Sequence, residues 1–368
     1  MDKEKKVLKT SNRMKGITGC ILFAAGFALL FISRISRGFA IWYSTHVYLF
    51  FVNTLGRLMG VFPFSVSELI LYIVIVTFII TVLYLMIQTV KKKAGKQEWK
   101  SWAVNVYFVA AVLLFLFAIN CGVNYHKESF SESSKIIAER YTAEELREVC
   151  LWLAGEVNER SNQVERDSNG VMCLGSTGKT NAEAVRAMEK LGKQYSELSG
   201  YFPKPKGLMF SWILSIQDLT GIYSPFTVEA NYNNAMTDYN IPFTACHELS
   251  HLRGFMQEEE ANFIAFLASS GSDDIGFQYS GYLMGWRYCM NVLYQADYKA
   301  WEEIRPQINE LVEVDLKANR EFWQKYDGKI AEVSNKVNDT YLKANDQSDG
   351  VQSYNRMVDL IVAYKKRH

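Results

Sequence analysis

His247-Glu248-Leu249-Ser250-His251 is followed directly by Leu252-Arg253-Gly254 and, four residues after that glycine, by Glu258-Glu259-Glu260. Two histidines four positions apart lie on one face of an α-helix, so both imidazoles can reach the same metal ion. Glu248 directly follows the first histidine, where its carboxylate can deprotonate a water bound to that metal. The stretch therefore predicts a helix with His247 and His251 as metal ligands and Glu248 as catalytic base.

A catalytic zinc site has three protein ligands and one open position, so a third ligand is required. In one continuous helix, Glu258 would lie roughly 16 Å beyond His247 along the axis, which is too far. Gly254 can end the first helix and turn the chain, so that a second helix returns to the first. We expect Glu258 to be the third ligand; the alternatives are Glu260 or a merely exposed acidic helix start. Asn262, one turn after Glu258, could hydrogen-bond to a ligand.

A second zinc motif needs to be weighed against this one. In metzincin proteases the pattern His-Glu-x-x-His-x-x-Gly-x-x-His places a third histidine three residues after the glycine. This chain has Gly254 but carries Gln257 at that position. Glutamine is a poor zinc ligand beside a carboxylate, so the sequence argues against the metzincin arrangement.

Family resemblance rests on strings outside the five-residue motif as well as within it. They are Phe62-Pro63-Phe64-Ser65, Pro225-Phe226-Thr227-x-x-Ala230-Asn231, Ile241-Pro242-Phe243-Thr244-Ala245-Cys246-His247-Glu248, Glu260-Ala261-Asn262-Phe263 and Tyr279-Ser280-Gly281-Tyr282. Together they resemble the bacterial membrane family catalogued as domain of unknown function 3810. The block Glu258-x-x-Ala261-Asn262 is also similar to the Glu-x-x-Ala-Asp pattern of gluzincin peptidases, with Asn262 replacing the aspartate. The resemblance implies a zinc-peptidase-like domain on a three-span anchor, and it implies no substrate.

Three apolar stretches, at residues 17–32, 69–90 and 102–120, are each long enough to cross a bilayer core near 30 Å. We expect spans at about 17–33, 67–90 and 102–122, with an amphipathic interfacial segment at 38–64. The first stretch also resembles a signal peptide. No small-x-small cleavage site follows it, whereas Arg34 and Arg37 do, so we interpret it as a retained anchor.

Lysine placement predicts how the spans are oriented. The N-terminus and the linker at residues 91–96 are rich in lysine, whereas the linker between the first two spans has fewer basic residues. The positive-inside rule then places the N-terminus and the lysine linker in the cytoplasm. We therefore expect a multi-pass protein of the bacterial cell membrane, with residues 1–124 as anchor and 125–368 as an extracytoplasmic domain.

The part after residue 124 has mainly helical patterns. Thr142-Ala143-Glu144-Glu145 is a capping box that predicts a helix running toward about Arg166. Residues 181–198 continue the helical pattern after a linker at 170–180, and residues 201–244 have the prolines and glycines of turns and short strands. Thr227–Tyr232 is the candidate for an edge strand that holds extended peptide, or for a hairpin that only packs. The predicted fold class is thus mainly α, with three N-terminal transmembrane helices and a mostly helical domain with a small β-element. The resemblance implies a zincin-like build for that domain.

These observations favour a zinc-dependent peptidase whose partners are the lipid bilayer and a peptide or protein substrate. The formal net charge of +1 argues against nucleic acid, and no Cys-x-x-Cys pair supports a structural zinc knuckle. Tyr279, Tyr282 and Arg287 are chemically able to stabilise an oxyanion, although structural roles are expected for the tyrosines. The alternative is a non-catalytic, membrane-tethered peptide-binding or sensor protein. Cleavage within the bilayer is implausible because polar residues flank the motif.

Overall fold

Helices form most of the structure, a computed structural model that describes residues 2–347, 350 and 356–368. Up to residue 127 they are α1 (Asp2–Ile35), α2 (Arg37–Trp42), α3 (Leu49–Phe51), α4 (Arg57–Gly60), α5 (Val66–Val90) and α6 (Lys96–Asn120), with π-helical turns over Tyr43–Tyr48 and Val52–Gly56 and a 3-10 turn over Gly122–His126. The later ones are α7 (Phe130–Ser134), α8 (Ala143–Ser161), α9 (Thr177–Gly192), α10 (Trp212–Ser215), α11 (Asn240–Leu252), α12 (Glu258–Ser270), α13 (Ile275–Ala296), α14 (Tyr298–Ile304), α15 (Glu310–Gln324), α16 (Lys329–Ala344) and α17 (Met357–Arg367), with 3-10 turns at Ser196–Leu198 and Arg305–Gln307. The strands are β1 (Lys206–Gly207), β2 (Gly221–Ser224) and β3 (Glu229–Tyr232). The mainly helical class with a small β-element is confirmed.

Three of these helical stretches are long and apolar enough to cross a membrane: Lys9–Ile35, Val66–Val90 and Lys96–His126. They coincide with the three predicted spans. The second is apolar on every side and almost entirely exposed, with side chains such as Ile73, Phe78 and Ile80 about half accessible. A helix with no polar face is stable where lipid, rather than water, surrounds it. The structure is therefore consistent with a membrane protein.

The chain forms two compact units, which we call the anchor unit and the large unit. The anchor unit comprises the residues up to Phe51, Val66–Lys127 and Pro225–Thr227; the large unit comprises Val52–Ser65, Glu128–Ser224 and Val228–His368. Within the anchor unit α1 packs along α6. Gly19 leaves room for the ring of Tyr107, whose hydroxyl donates to Cys20 Sγ at 3.1 Å.

A buried ion pair fixes the Val52–Ser65 segment within the large unit. Lys206 in β1 pairs with Glu229 in β3, and both side chains are almost completely buried. The Lys206 ammonium also donates to the carbonyl oxygen of Met59 at 2.8 Å. A buried charge needs such partners because desolvation otherwise costs several kcal/mol. The segment that leads into the second span is thus bonded to the small sheet.

Helix boundaries differ from the predicted ones in two places. Thr142 caps α8 as predicted, accepting a hydrogen bond from the backbone N–H of Glu145 at 3.2 Å. The helix ends at Ser161 rather than near Arg166, because the Arg166 guanidinium folds back onto the Ser161 carbonyl. The linker predicted to reach Thr180 is wrong over its last residues, since α9 already begins at Thr177.

Asp315 is the centre of a buried polar network that joins α13 and α15. Its fully buried carboxylate accepts hydrogen bonds from Arg166 at 3.1 Å, the backbone N–H of Met172 at 2.7 Å and the Tyr279 hydroxyl at 2.5 Å. Removing one partner of such a pair typically costs about 3–5 kcal/mol. Tyr279 therefore has a structural role, as expected for it.

The sheet order is β1-β3-β2, with β3 parallel to β1 and antiparallel to β2. The prediction that Thr227–Tyr232 forms an edge strand is wrong, because β3 is the central strand. The strand at the sheet edge that follows α10 is β2. Asn233 N–H donates to the Thr220 carbonyl at 2.7 Å, so these two residues form a hydrogen-bonded pair of the antiparallel ladder. The next pair, Gly221 and Tyr232, is then a non-hydrogen-bonded pair. The backbone N–H and C=O of Gly221 consequently point away from β3.

Candidate metal centre

α11 carries the histidine motif in a completely buried environment. Every residue from Asn240 to Leu252 is buried, and the helix packs against α12, α13, β2 and β3. Its polar residues are held by specific bonds; for example, the Ser250 hydroxyl donates to the Cys246 carbonyl at 2.8 Å. Burial on all sides means that His247, Glu248 and His251 cannot be a solvated helix face.

The chain turns between α11 and α12 at the predicted glycine. Gly254 has φ +85°, a left-handed conformation that favours a residue without Cβ. Its N–H donates to the His251 carbonyl at 2.8 Å, and the N–H of Phe255 reaches back to the Ser250 carbonyl at 3.1 Å. This closure is typical of a helix C-terminus that reverses direction. The second helix therefore begins at Glu258, beside the first.

Three potential ligand atoms converge between the two helices. His247 Nε2 and His251 Nε2 are 3.0 Å apart. Glu258 Oε2 lies 3.3 Å from the first of these nitrogen atoms and 3.7 Å from the second. All three side chains are buried. The structure thus brings together the three residues that the sequence predicts as ligands.

The spacing of these atoms fits a tetrahedral zinc ion. With zinc–ligand bonds of about 2.0–2.1 Å, two ligand atoms of a tetrahedron are about 3.3 Å apart. The observed separations of 3.0, 3.3 and 3.7 Å lie around that value. Two imidazoles and one carboxylate are also a donor set that catalytic zinc takes in proteins. Both the chemistry and the geometry of the cluster fit the ion.

A backbone hydrogen bond orients the second histidine. His251 Nδ1 lies 2.8 Å from the carbonyl oxygen of Phe255, which can only accept a hydrogen bond. Nδ1 therefore carries a proton, which leaves Nε2, on the side of His247 and Glu258, as the nitrogen that can bind a metal once it is deprotonated. The turn that follows Gly254 supplies this carbonyl, so the same bend that returns α12 also fixes the tautomer of His251.

Asn262 and Tyr288 lie behind the first histidine. The Asn262 amide is within hydrogen-bonding reach of both the His247 imidazole and the Tyr288 hydroxyl. His247 Nδ1 and Asn262 Nδ2 are buried atoms without a hydrogen-bond partner. If His247 Nε2 binds a metal, Nδ1 carries a proton that Asn262 Oδ1 can accept, while Asn262 Nδ2 can donate to Tyr288. Sequence reasoning missed Tyr288, and no local signal marks it.

Burial and mutual charge set the electrostatics of the cluster. Burial lowers the pKa of His247. Burial also acts to lower the pKa of His251, but the negative charge of Glu258 outweighs this effect and raises that pKa to about 9. Burial acts to raise the pKa of Glu258, yet the two histidines hold it well below its usual range. The site therefore favours positive charge between these side chains, and a divalent cation would replace the proton on His251.

Glu248 lies against the edge strand β2. A Cβ added at Gly221 would overlap Glu248 Oε1 and Thr244 Cγ2, so only glycine permits this close approach. Glu248 Oε2 is buried without a hydrogen-bond partner. Burial raises the pKa of this carboxyl to about 8. Once ionised, this buried carboxylate beside the ligand cluster is able to accept a proton from a bound molecule.

The other residues considered from the sequence lie elsewhere. Glu260, the alternative ligand, turns away and accepts hydrogen bonds from the Ser131 hydroxyl at 2.5 Å and the Ser131 N–H at 2.9 Å. Tyr279 binds Asp315, as described above. Tyr282 packs edge-on against Trp152 at 6.0 Å between ring centroids, and Arg287 lines a separate cavity.

Comparison with known proteins places the chain in one family. The family model described as protein of unknown function (DUF3810) matches residues 43–362. The chain belongs to this family. The match spans all of the strings on which the resemblance rests, together with the histidine motif and Glu258. No curated protein and no solved structure matches the chain.

Substituting Glu258 tests the ligand set. We expect the full-length parent, purified in detergent, to hold about one equivalent of zinc. Glu258→Gln should weaken zinc binding by more than the roughly 10- to 100-fold that loss of an outer-shell partner costs. Elemental analysis after dialysis against graded zinc concentrations measures this.

Glu259→Gln is the matched control, because Glu259 is the next residue of the same helix and bonds to Gln347 instead. It should retain the zinc of the parent. Equal zinc content in Glu258→Gln and Glu259→Gln would contradict the assignment of Glu258.

Proposed function

We propose that this protein is a membrane-anchored, zinc-dependent metallopeptidase that hydrolyses peptide bonds on the extracytoplasmic side of the bacterial cell membrane. The observation that carries the proposal is the convergence of His247 Nε2, His251 Nε2 and Glu258 Oε2 at tetrahedral spacing beside an unsatisfied carboxylate. A purely structural cluster would place no demand on Glu248, whose Oε2 is buried without a hydrogen-bond partner.

The chain's own residues divide the chemistry between them. His247, His251 and Glu258 would hold zinc, which lowers the pKa of water toward about 7 and polarises a substrate carbonyl. Glu248 accepts the proton of the attacking water and delivers it to the leaving nitrogen. Asn262 would be a positioning residue, since its Oδ1 can accept the Nδ1 proton of a metal-bound His247, and Tyr288 would act on it through Asn262.

Substrate binding is assigned to β2. The Gly221 backbone groups point away from β3 and lie over Glu248, so an extended peptide paired with them would bring its carbonyl to the base. In zincin-like domains, a helix that carries two of the metal ligands typically lies beside a small sheet, and the next helix carries the third ligand. We therefore retain the gluzincin-like interpretation as part of this proposal, with Asn262 where those peptidases have aspartate.

The Glu248→Gln substitution tests the proposed base. It keeps the size of the side chain but removes its proton-accepting charge, so hydrolysis of fluorescence-quenched casein should fall by about 10²–10⁴-fold. Zinc content, measured on the same preparation, should stay at the level of the parent.

The rate of hydrolysis and the zinc content together distinguish the peptidase from the non-catalytic alternative. Hydrolysis by Glu248→Gln at the rate of the parent would refute the role of the base. Zinc bound by both proteins with hydrolysis by neither would favour the peptide-binding or sensor alternative.

Topology is tested by protease treatment of intact spheroplasts. The lysine-rich linker, residues 91–96, requires a cytoplasmic location under the positive-inside rule, and three crossings then leave the C-terminus outside. We expect an epitope tag after His368 to be digested by added protease and a tag before Met1 to be protected. Protection of the C-terminal tag until the cells are lysed would reverse the proposed orientation.

A further inference from the structure

A cavity of about 570 Å³ lies among the helices of the large unit, apart from the metal cluster. Its walls come from α13, α15 and α16, and from the turns before β2 and after α14. None of His247, Glu248, His251 or Glu258 lines it. The volume is within the range of about 300–1,000 Å³ that small-molecule and peptide side-chain sites occupy. It is therefore a second place at which a ligand can bind.

One arginine in the lining of the cavity has no acidic partner. Arg287 donates to Met284 Sδ at 3.4 Å and lies 6.0 Å from the centre of the Tyr239 ring. Among the described residues no carboxylate forms an ion pair with Arg287. The neighbouring Arg305, in contrast, is neutralised by Glu313.

Three acidic residues also line the cavity. Asp218, Asp327 and Glu332 are exposed residues, so solvent screens part of their charge. The lining also includes the rings of Trp301 and Trp323. A ligand that fits this lining has an apolar or aromatic body and a carboxylate that reaches Arg287.

A hydrogen bond and a short stretch of chain connect the cavity lining to the elements of the metal cluster. Asn319 in the lining accepts a hydrogen bond at 2.8 Å from Asn240 in the first turn of α11, the helix that carries His247. Asp218, also in the lining, precedes Gly221 of β2 by three residues. The cavity therefore adjoins both the ligand helix and the strand that lies against Glu248.

We propose that the cavity binds the C-terminal end of a peptide substrate, with Arg287 on its terminal carboxylate. The proposal rests on the proposed function in that the ligand is taken to be a peptide. It deepens that function by naming the substrate class: peptides with a free C-terminus, cut near their end.

Binding of a defined probe tests this directly. The probes are N-acetyl-Phe-Phe with a free carboxylate and the same compound as its C-terminal amide, titrated calorimetrically into the full-length Glu248→Gln protein. We expect the acid to bind about tenfold more tightly than the amide, the effect of one hydrogen bond to a charged group. Arg287→Gln should abolish this difference, and Arg287→Lys should keep part of it.

Arg140→Gln is the matched control, because it removes the same charge from an exposed arginine outside the cavity; it should retain the preference for the acid. Equal affinity for acid and amide, no binding of either, or a preference that Arg287→Gln leaves intact would each overturn the proposal. Preference for the acid in a protein that hydrolyses nothing would leave the cavity assignment standing and refute the peptidase.

Discussion

Two imidazole nitrogen atoms and one carboxylate oxygen point at a common position inside a pocket from which water is largely excluded. Burying an uncompensated charge costs several kcal/mol, and a cation between these three atoms would compensate the Glu258 carboxylate. The pKa of Glu258 is lowered and that of His251 is raised to about 9. Both shifts mean that the cluster favours a positive charge beside the Glu258 carboxylate. The rest of the large unit is arranged around this constraint.

Short local features place the cluster. Gly254 reverses the chain and delivers Glu258 to α11, and the Phe255 carbonyl in the same turn fixes the tautomer of His251. Gly221 permits β2 to lie against Glu248. In each of these three cases the backbone, rather than a contact between side chains, positions the residue. Backbone of this kind holds the Glu248 carboxylate and the candidate metal ligands more rigidly than flexible side chains would.

Sequence reasoning recovered those parts of the structure that depend on local periodicity. The apolar spans, the Thr142 capping box and the glycine bend are each determined by residues that are neighbours in the sequence. Glu258 could be preferred over Glu260 because two residues along a helix differ by about 200°, so both cannot face α11. The structure agrees, since Glu260 bonds to Ser131.

Long-range packing was beyond such reasoning. The residues of β2 and β3 do not reveal which strand is central; β3 is central because it pairs with both β1 and β2. Tyr288 comes thirty residues after Glu258, and nothing near it in sequence marks it as a neighbour of Asn262. The Arg166 guanidinium ends α8 early because its partner Asp315 lies in a distant helix. These features follow from tertiary contacts that no local pattern encodes.

X-ray absorption at the zinc edge of the purified full-length protein tests the central claim most directly. The account predicts a four-coordinate ion with only nitrogen and oxygen neighbours at about 2.0–2.1 Å and the scattering signature of two imidazoles. Sulfur at about 2.3 Å, or a shell without imidazole, would show that zinc binds elsewhere and would contradict the account.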